Sequence, residues 1–360
     1  RLAFSLPDPL RSMPSSNASA DASADASASS AGTADADASN GPLLPLIDQY
    51  PDTNSFREEV VAGLQRTPKS IPSKYLYDER GSKLFDDICK LEEYYLTRTE
   101  MQIMRDHVEE MAAAVGSGAR LVEYGSGSSW KTRILLDALT DVATYVPIDI
   151  SRDHLLEASR DLATDHPSIP VQPVCADYTT DFALPDPPPS AARTVVYYPG
   201  STIGNFRPEQ AHQFLAHVAQ IAGPGGGLII GVDLRKSPDV LVPAYDDSEG
   251  ITAEFNYNVL DRINREIGAT FDLDRFDYTA EWDPDRSCID MQLVSRDDQQ
   301  VQVDGVEVSF EAGEAIHTEY SFKYTLDAFA QLAGRAGLEV DTVWTDADDR
   351  FSIQYCTVRS

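Results

Sequence analysis

Cysteine is scarce in this chain: four occur in 360 residues, Cys89, Cys175, Cys288 and Cys356. They lie far apart and form no CxxC pair. With six scattered histidines they show none of the spacings of a zinc site, nor the dense framework of a disulfide-stapled secreted domain. They read as buried free thiols, and no metal is expected. Long apolar runs are missing too. Nothing approaches the roughly 18 to 20 residues needed to cross a bilayer, so no membrane partner is expected. Residues 1–10 are interrupted by Pro7, Asp8 and Pro9, which rules out a signal-peptide core, and the Asp-rich stretch beyond argues against a transit peptide. A cytoplasmic location is the resulting expectation.

Positive charge is the third shortage. Lys and Arg total 29 against 59 Asp and Glu, giving a formal charge of −30 and a pI near 4.4. Such a chain repels phosphate backbones, so nucleic acid is not expected as a partner. The cations are themselves skewed, with 7 Lys to 22 Arg. A Lys-poor, Asp-rich surface suits a high-salt cytoplasm, where ions screen self-repulsion.

What is present is organised. The length exceeds what one hydrophobic core usually holds, so two lobes or one enlarged domain are expected. Of the 26 residues from Ser15 to Asn40, 22 are Ala, Ser or Asp. With so little bulk to offset ordering entropy, residues 1–45 read as a disordered tail. Globular texture starts near residue 48. A helix capped by Asn54 or Ser55 runs through Gln65, and a second covers Ser82 to Leu91. Thr97 and Glu100 spell a capping box ahead of the amphipathic run Met101–Val115, with Gly116 as its stop.

Strands and helices then alternate. Strands are expected at Arg120–Tyr124, Thr144–Ile150, Val171–Ala176, Arg193–Tyr198 and Gly227–Leu234, with helices at Lys131–Leu139, Arg152–Ala163 and Pro208–Ala222. This alternation implies a parallel sheet covered on both faces. A helix at Ile251–Ile267 precedes a strand-rich stretch from Phe276 to Tyr324, with Asp304-Gly305 as a hairpin turn. Helix Leu326–Ala336 and strands Glu339–Trp344 and Phe351–Val358 close the chain, the last two as an antiparallel pair on the sheet edge. A mostly parallel, doubly wound α/β sheet ending this way is typical of the S-adenosylmethionine-dependent (class I) methyltransferases, an inference at the level of fold.

The turn after the first sheet strand, Leu121-Val-Glu-Tyr-Gly-Ser-Gly-Ser-Ser-Trp130-Lys131, is the candidate cofactor loop. Gly125 and Gly127 permit a tight turn and close approach of backbone to ligand. The third glycine of the dinucleotide pattern is absent, which disfavours a nicotinamide-dependent oxidoreductase without removing it. Glu123 fits a methyltransferase better, since an acid there favours a cationic sulfonium. Asp149 ends the second strand, placed for ribose hydroxyls. Asp177 and Tyr178 follow the third, placed for an adenine amine and ring, and Lys131 is placed for a carboxylate.

Longer motifs narrow the reading. Ser-Lys-Tyr-Leu-Tyr77-Asp-Glu-Arg-Gly-Ser-Lys-Leu-Phe85-Asp, Glu-Tyr94-Tyr95-Leu-Thr-Arg-Thr-Glu100, Gly200-Ser-Thr-Ile-Gly-Asn205 and Ala-Tyr245-Asp-Asp resemble the bacterial histidine Nα-methyltransferases of ergothioneine biosynthesis, from about Phe56 to the C-terminus. The resemblance implies trimethylation of L-histidine to hercynine with three molecules of S-adenosylmethionine and no metal. It implies that Asn205 and Tyr245 hold the amino acid's backbone groups, that Tyr77 and Tyr94 surround the amine, and that Met291 lies near the substrate. It further implies that Glu319 and Ser321 read the imidazole. As i and i+2 on a strand they face the same way; on pattern alone Glu319, Ser321 and Lys323 read as a solvated face. Tyr178, where phenylalanine is common, and Trp130 depart from the family pattern.

The implied architecture has a cofactor domain of residues 99–234 plus 324–360 and a substrate-binding α+β domain of 48–98 plus 235–323, in a monomer. The rival readings are a methyltransferase of this fold acting on another amino acid or small amine, and a non-catalytic binding protein.

Overall fold

A computed structural model describes residues 44–49, 53–127 and 129–359. Residues 1–43, most of the expected tail, lie outside it. The described chain enters with β1 (Ile47–Gln49), α1 (Thr53–Leu64), the two-residue β2 (Lys69–Ser70) and α2 (Glu79–Ile88). Asp78 caps α2 by accepting from Gly81 N at 2.8 Å. The long α3 (Tyr95–Val115) stops at Gly116, whose φ of 76° lies in the left-handed region that favours glycine.

Alternation then sets in, with β3 (Ala119–Tyr124), α4 (Trp130–Ala138), β4 (Thr144–Asp149), α5 (Arg152–Asp165), β5 (Val174–Ala176), β6 (Arg193–Tyr198), α6 (Pro208–Ala222) and β7 (Gly227–Asp233). A short α7 (Pro238–Leu241) and α8 (Ile251–Ile267) lead into β8 (Phe276–Asp283), β9 (Cys288–Ser295), β10 (Gln299–Val303), β11 (Val306–Phe310) and β12 (Ala315–Phe322). The chain closes with α9 (Leu326–Arg335), β13 (Leu338–Thr345) and β14 (Phe351–Val358).

Eight strands make the main sheet, in the order β1-β5-β4-β3-β6-β7-β14-β13. Pairs from β1 to β7 are parallel, and β14 and β13 join antiparallel. Both faces are covered, as near-continuous apolar strands require. On β3, Leu121 packs toward the core that includes α3, while Val122 and Tyr124 pack into the core that includes α6 and α9. A second sheet, β2-β12-β9-β8, carries the antiparallel strands of the later chain, and β10-β11 forms a separate hairpin. Asp304 and Gly305 turn that hairpin with φ of 53° and 76°, as its twist requires.

Three expectations are corrected. The helix at 95–115 starts two residues before Thr97, so Thr97 and Glu100 are buried within it and form no capping box. The third alternating strand is shorter, beginning at Val174, with Val171 making only an isolated bridge to Tyr145. Residues 47–49, read as the start of globular texture without a strand, extend the sheet beside β5. Among the described residues, no helix is long and apolar enough to cross a membrane.

Candidate functional site

Strand order reverses at β3, with β4 on one side and β6 on the other, so a crevice opens at the carboxyl ends of these strands. Gly125 N and Ser126 N both donate to Ile148 O, at 2.8 and 3.1 Å, which pins the β3–α4 turn to β4. Gly125 and Gly127 have φ of 68° and 47°, and nothing lies within 4 Å of where a Cβ on Gly127 would stand. The turn leaves bare backbone facing an open cleft of about 1390 Å³, its mouth included. Asp149 stands at its edge, accepting from Gly127 N at 3.0 Å and Ser151 N at 2.9 Å. Burial pushes the Asp149 carboxyl up, and these amides oppose the shift. Tyr178 lines the cleft and packs edge-on against Tyr124, centroids 5.4 Å apart.

Two cleft residues are engaged differently from the sequence reading. Asp177 accepts from Lys74 Nζ at 2.8 Å and from Thr179 N at 2.9 Å, so its carboxylate binds a lysine of the segment before α2. Lys131 Nζ lies 2.6 Å from Glu100 Oε2, and the same carboxylate accepts from Gly200 N at 3.0 Å. Glu100, expected as a cap, instead ties α3, α4 and the turn after β6 together. Glu123 is buried against Thr132 Oγ1, at 2.6 and 2.7 Å, and Tyr145. Burial pushes it up to about 8, those hydrogen bonds and the charge of Lys131 opposing.

Behind the cleft lies a smaller chamber of about 500 Å³. Tyr77, Phe85, Tyr94, Gly200, Thr202 and Asn205 line both spaces and form the threshold between them. Tyr77 follows the helical turn Ser73–Leu76, Tyr94 precedes α3, and Asn205 ends the turn Thr202–Asn205 after β6. Tyr245, Met291, Glu319 and Ser321 complete the chamber. Met291 on β9 pairs directly with Glu319 on β12. A register shift between His317 and Glu319 interrupts the ladder. Past it Glu319 and Ser321 line the chamber together, whereas His317 stacks on Tyr320 and bonds Asp290 at 2.7 Å.

Asn205 Nδ2 donates to Glu319 Oε1 at 2.7 Å, so these two are in contact across the chamber. Burial pushes the Glu319 carboxyl to about 8, a hydrogen bond from Tyr77 and the charge of Lys323 opposing. Burial also raises Tyr77 and Tyr94 well above the ordinary phenol range, so both stay neutral. At the other end the Tyr245 hydroxyl and Ser321 Oγ are 2.9 Å apart. Lys323 Nζ reaches them at 2.6 and 2.8 Å, and Asp233 Oδ2 at 2.7 Å. Lys323 is 3 % exposed, so the solvated face that pattern alone implied does not exist. Its position two residues past Ser321 was the available signal. Glu100, Lys74 and Asp233 were not anticipated as parts of the site.

Among the described residues no His, Cys, Asp and Glu cluster fits a metal ion. The β3 turn, the acid ending β4 and the strand order β5-β4-β3-β6-β7-β14-β13 define a class I, S-adenosylmethionine-dependent methyltransferase. The family profile described as histidine-specific methyltransferase, SAM-dependent, matches residues 56–358. The chain is 42% identical over 304 residues to the histidine N-alpha-methyltransferase of Mycolicibacterium smegmatis, covering 83% of this chain and 94% of that protein. It is 40% identical, with the same coverage, to the enzyme of that name from Mycobacterium tuberculosis. It is 31% identical to ergothioneine biosynthesis protein 1 of Neurospora crassa, covering 77% of this chain and 32% of that longer protein. The chain belongs to the family of histidine-specific, S-adenosylmethionine-dependent methyltransferases.

Proposed function

We propose that this enzyme transfers three methyl groups in succession to the α-amino nitrogen of L-histidine, forming hercynine for ergothioneine biosynthesis. The observation that carries the reading is the shared threshold: Tyr77, Tyr94 and Asn205 face both the cofactor cleft and the inner chamber. A methyl group passing between two bound molecules crosses at that point.

The cleft fits S-adenosylmethionine. Gly125 and Gly127 leave room for close approach, Asp149 offers carboxylate oxygens at the cleft edge, and Tyr178 presents an aromatic wall. The bound cofactor supplies a methyl group already activated on a sulfonium. The protein's work is to bind, align and tune charge. Asp149 holds the loop and the ribose; Tyr178 and Asp177 take the adenine end; Lys131, steadied by Glu100, takes the carboxylate end. Asp177 keeps this role only if it shares its carboxylate between Lys74 and the adenine amine.

In the chamber, Glu319 and Ser321 meet the imidazole with Met291 beside them, and Tyr245 and Asn205 hold the carboxylate and amine. Free histidine's ammonium is mostly protonated at neutral pH, so the amine has to shed a proton before each transfer. Tyr77, Tyr94 and Asn205 orient the resulting lone pair toward the threshold. The proton leaves to solvent or along a tyrosine–water path. Neutral tyrosines around the nitrogen offer few strong donors to compete with the second and third methyl groups.

In this reading residues 99–234 plus 324–360 serve the cofactor and 48–98 plus 235–323 bind the substrate, with Asn205 reaching the chamber from the cofactor part, in a monomeric cytoplasmic enzyme. The test is incubation with S-adenosylmethionine and a panel of amino acids, read by mass spectrometry. Gain of three methyl groups on histidine alone is expected; preferential methylation of another amino acid or amine overturns the substrate. Glu319→Ala is expected to raise the histidine KM at least about tenfold, with the KM for S-adenosylmethionine unchanged.

A further inference from the structure

The ammonium of Lys323 is fully buried, and its three hydrogens have three partners. They go to Asp233 Oδ2 at 2.7 Å, the Tyr245 hydroxyl at 2.6 Å and Ser321 Oγ at 2.8 Å. A lysine in such a place requires a reason, because replacing a buried ion pair by apolar groups is often neutral or stabilising. Asp233 does not supply it. That carboxylate already accepts from Lys236 Nζ at 2.6 Å and from the Tyr95 hydroxyl at 2.8 and 2.9 Å. A second cation is redundant for Asp233, and crowding by it helps depress Lys236, which burial first of all lowers to about 8.

What Lys323 adds is the direction of two hydroxyl groups. Lysine has hydrogens to give and no acceptor, so Tyr245 and Ser321 both accept from it and neither donates back. The two oxygens are 2.9 Å apart, and only one of them can donate to the other. The second hydroxyl hydrogen is left for the chamber that both residues line.

We propose that Lys323 is a positioning residue for histidine binding, which locks the Tyr245–Ser321 pair so that an O–H donor always faces the substrate. Its target is an acceptor on the amino acid, a carboxylate oxygen or the unprotonated imidazole nitrogen. Without Lys323 the two hydroxyls rotate freely and present acceptors as readily as donors. The proposal rests on reading the chamber as the histidine site, so its test separates the two.

Four variants are compared by steady-state kinetics in both substrates: Lys323→Met, Tyr245→Phe, the two combined, and Lys323→Met/Asp233→Asn. The last also neutralises Asp233, a second background for the measurement in case losing one of its two lysines makes Lys323→Met alone fold poorly. The folded Lys323 variants are expected to raise the histidine KM about 10- to 100-fold and to leave the KM for S-adenosylmethionine within about twofold, a split that general loosening of the fold does not give. In the Tyr245→Phe background the added effect of Lys323→Met is expected to shrink to about threefold or less. A histidine KM within about twofold of wild type, or two effects that simply multiply, overturns the proposal. If Tyr245→Phe itself leaves the histidine KM unchanged, the reading of the chamber fails and takes the proposal with it.

Discussion

Two carboxyl groups near the site, Glu123 and Glu319, are each pushed by burial to about 8. A carboxyl that holds its proton more tightly when folded contributes stability that is fully present below its unfolded pKa, near 4.5. That contribution is lost as pH rises through 8. Glu319→Gln keeps an oxygen for Asn205 and removes the titration. It is therefore expected to melt above wild type at pH 9, with the difference disappearing by pH 4; a melting offset of equal size at both pH values contradicts the assignment. Lys131 is the opposite case: burial works against its charge, but the Glu100 carboxylate 2.6 Å away more than offsets this and holds the ammonium above the usual lysine range. Glu100 is 1 % exposed, so Lys131→Met strands its charge and is expected to cost about 3 kcal/mol. Adding Glu100→Gln should return much of that loss in a denaturant titration. A double variant no more stable than Lys131→Met shows that the pair is not coupled.

At the scale of elements, the turn after β6 decides where Asn205 stands. A Cβ on Gly204 would lie 2.8 Å from Phe322 O on the neighbouring β12, and backbone there cannot yield cheaply. Gly204→Ala is expected to push the turn off that strand, part Asn205 from Glu319 and lower kcat/KM by about tenfold or more. Gly268→Ala is the control. Gly268 caps α8 with φ of 67° and open space around it, so alanine there costs about 1 kcal/mol of stability and leaves the kinetics alone. Equal kinetic losses in the two variants refute the steric argument.

The same elements show what the sequence made legible. Helix α8 was readable to its ends, because Gly250 and Gly268 both take left-handed backbone and bracket it locally. Strands β6 and β14 were equally plain, apolar and bounded by turns. The start of α3 was not, since Thr97 and Glu100 carry the letters of a cap while Glu100 is claimed by Lys131 and by Gly200 N, 100 residues away. β1 has three residues and a partner near position 175, so no local pattern announces it. The candidate site shows the same division. Long motifs brought Tyr77, Tyr94, Asn205, Tyr245, Met291, Glu319 and Ser321 to one chamber. Their pairings, Asn205 with Glu319 and Asp177 with Lys74, depend on side chains that only the folded chain brings together.

For the whole molecule the dominant quantity is charge. Each of the seven lysines sits in an ion pair, and Lys131, Lys236 and Lys323 are held inside around the site. The formal charge of −30 is thus an excess of carboxylates that lysines cannot neutralise. Their mutual repulsion acts over roughly 10 Å at 0.1 M salt and about 3 Å at 1 M. Exposed ion pairs such as Lys83–Glu79 weaken over the same range, but solvent already screens each of them, so each contributes little. Repulsion among many like charges adds up in one direction, so its relief wins. The melting temperature is expected to rise by several degrees between 0.1 and 1 M KCl, with NaCl and KCl alike and uncharged sucrose at equal osmolality giving less. A flat or falling salt dependence means that carboxylate repulsion does not limit this fold. The chamber should respond less: Lys323, Asp233 and Glu319 are buried from the screening ions, and zwitterionic histidine carries no net charge for the surface field to steer. A histidine KM that holds steady while stability climbs would separate the chemistry of the site from the electrostatics of its surface.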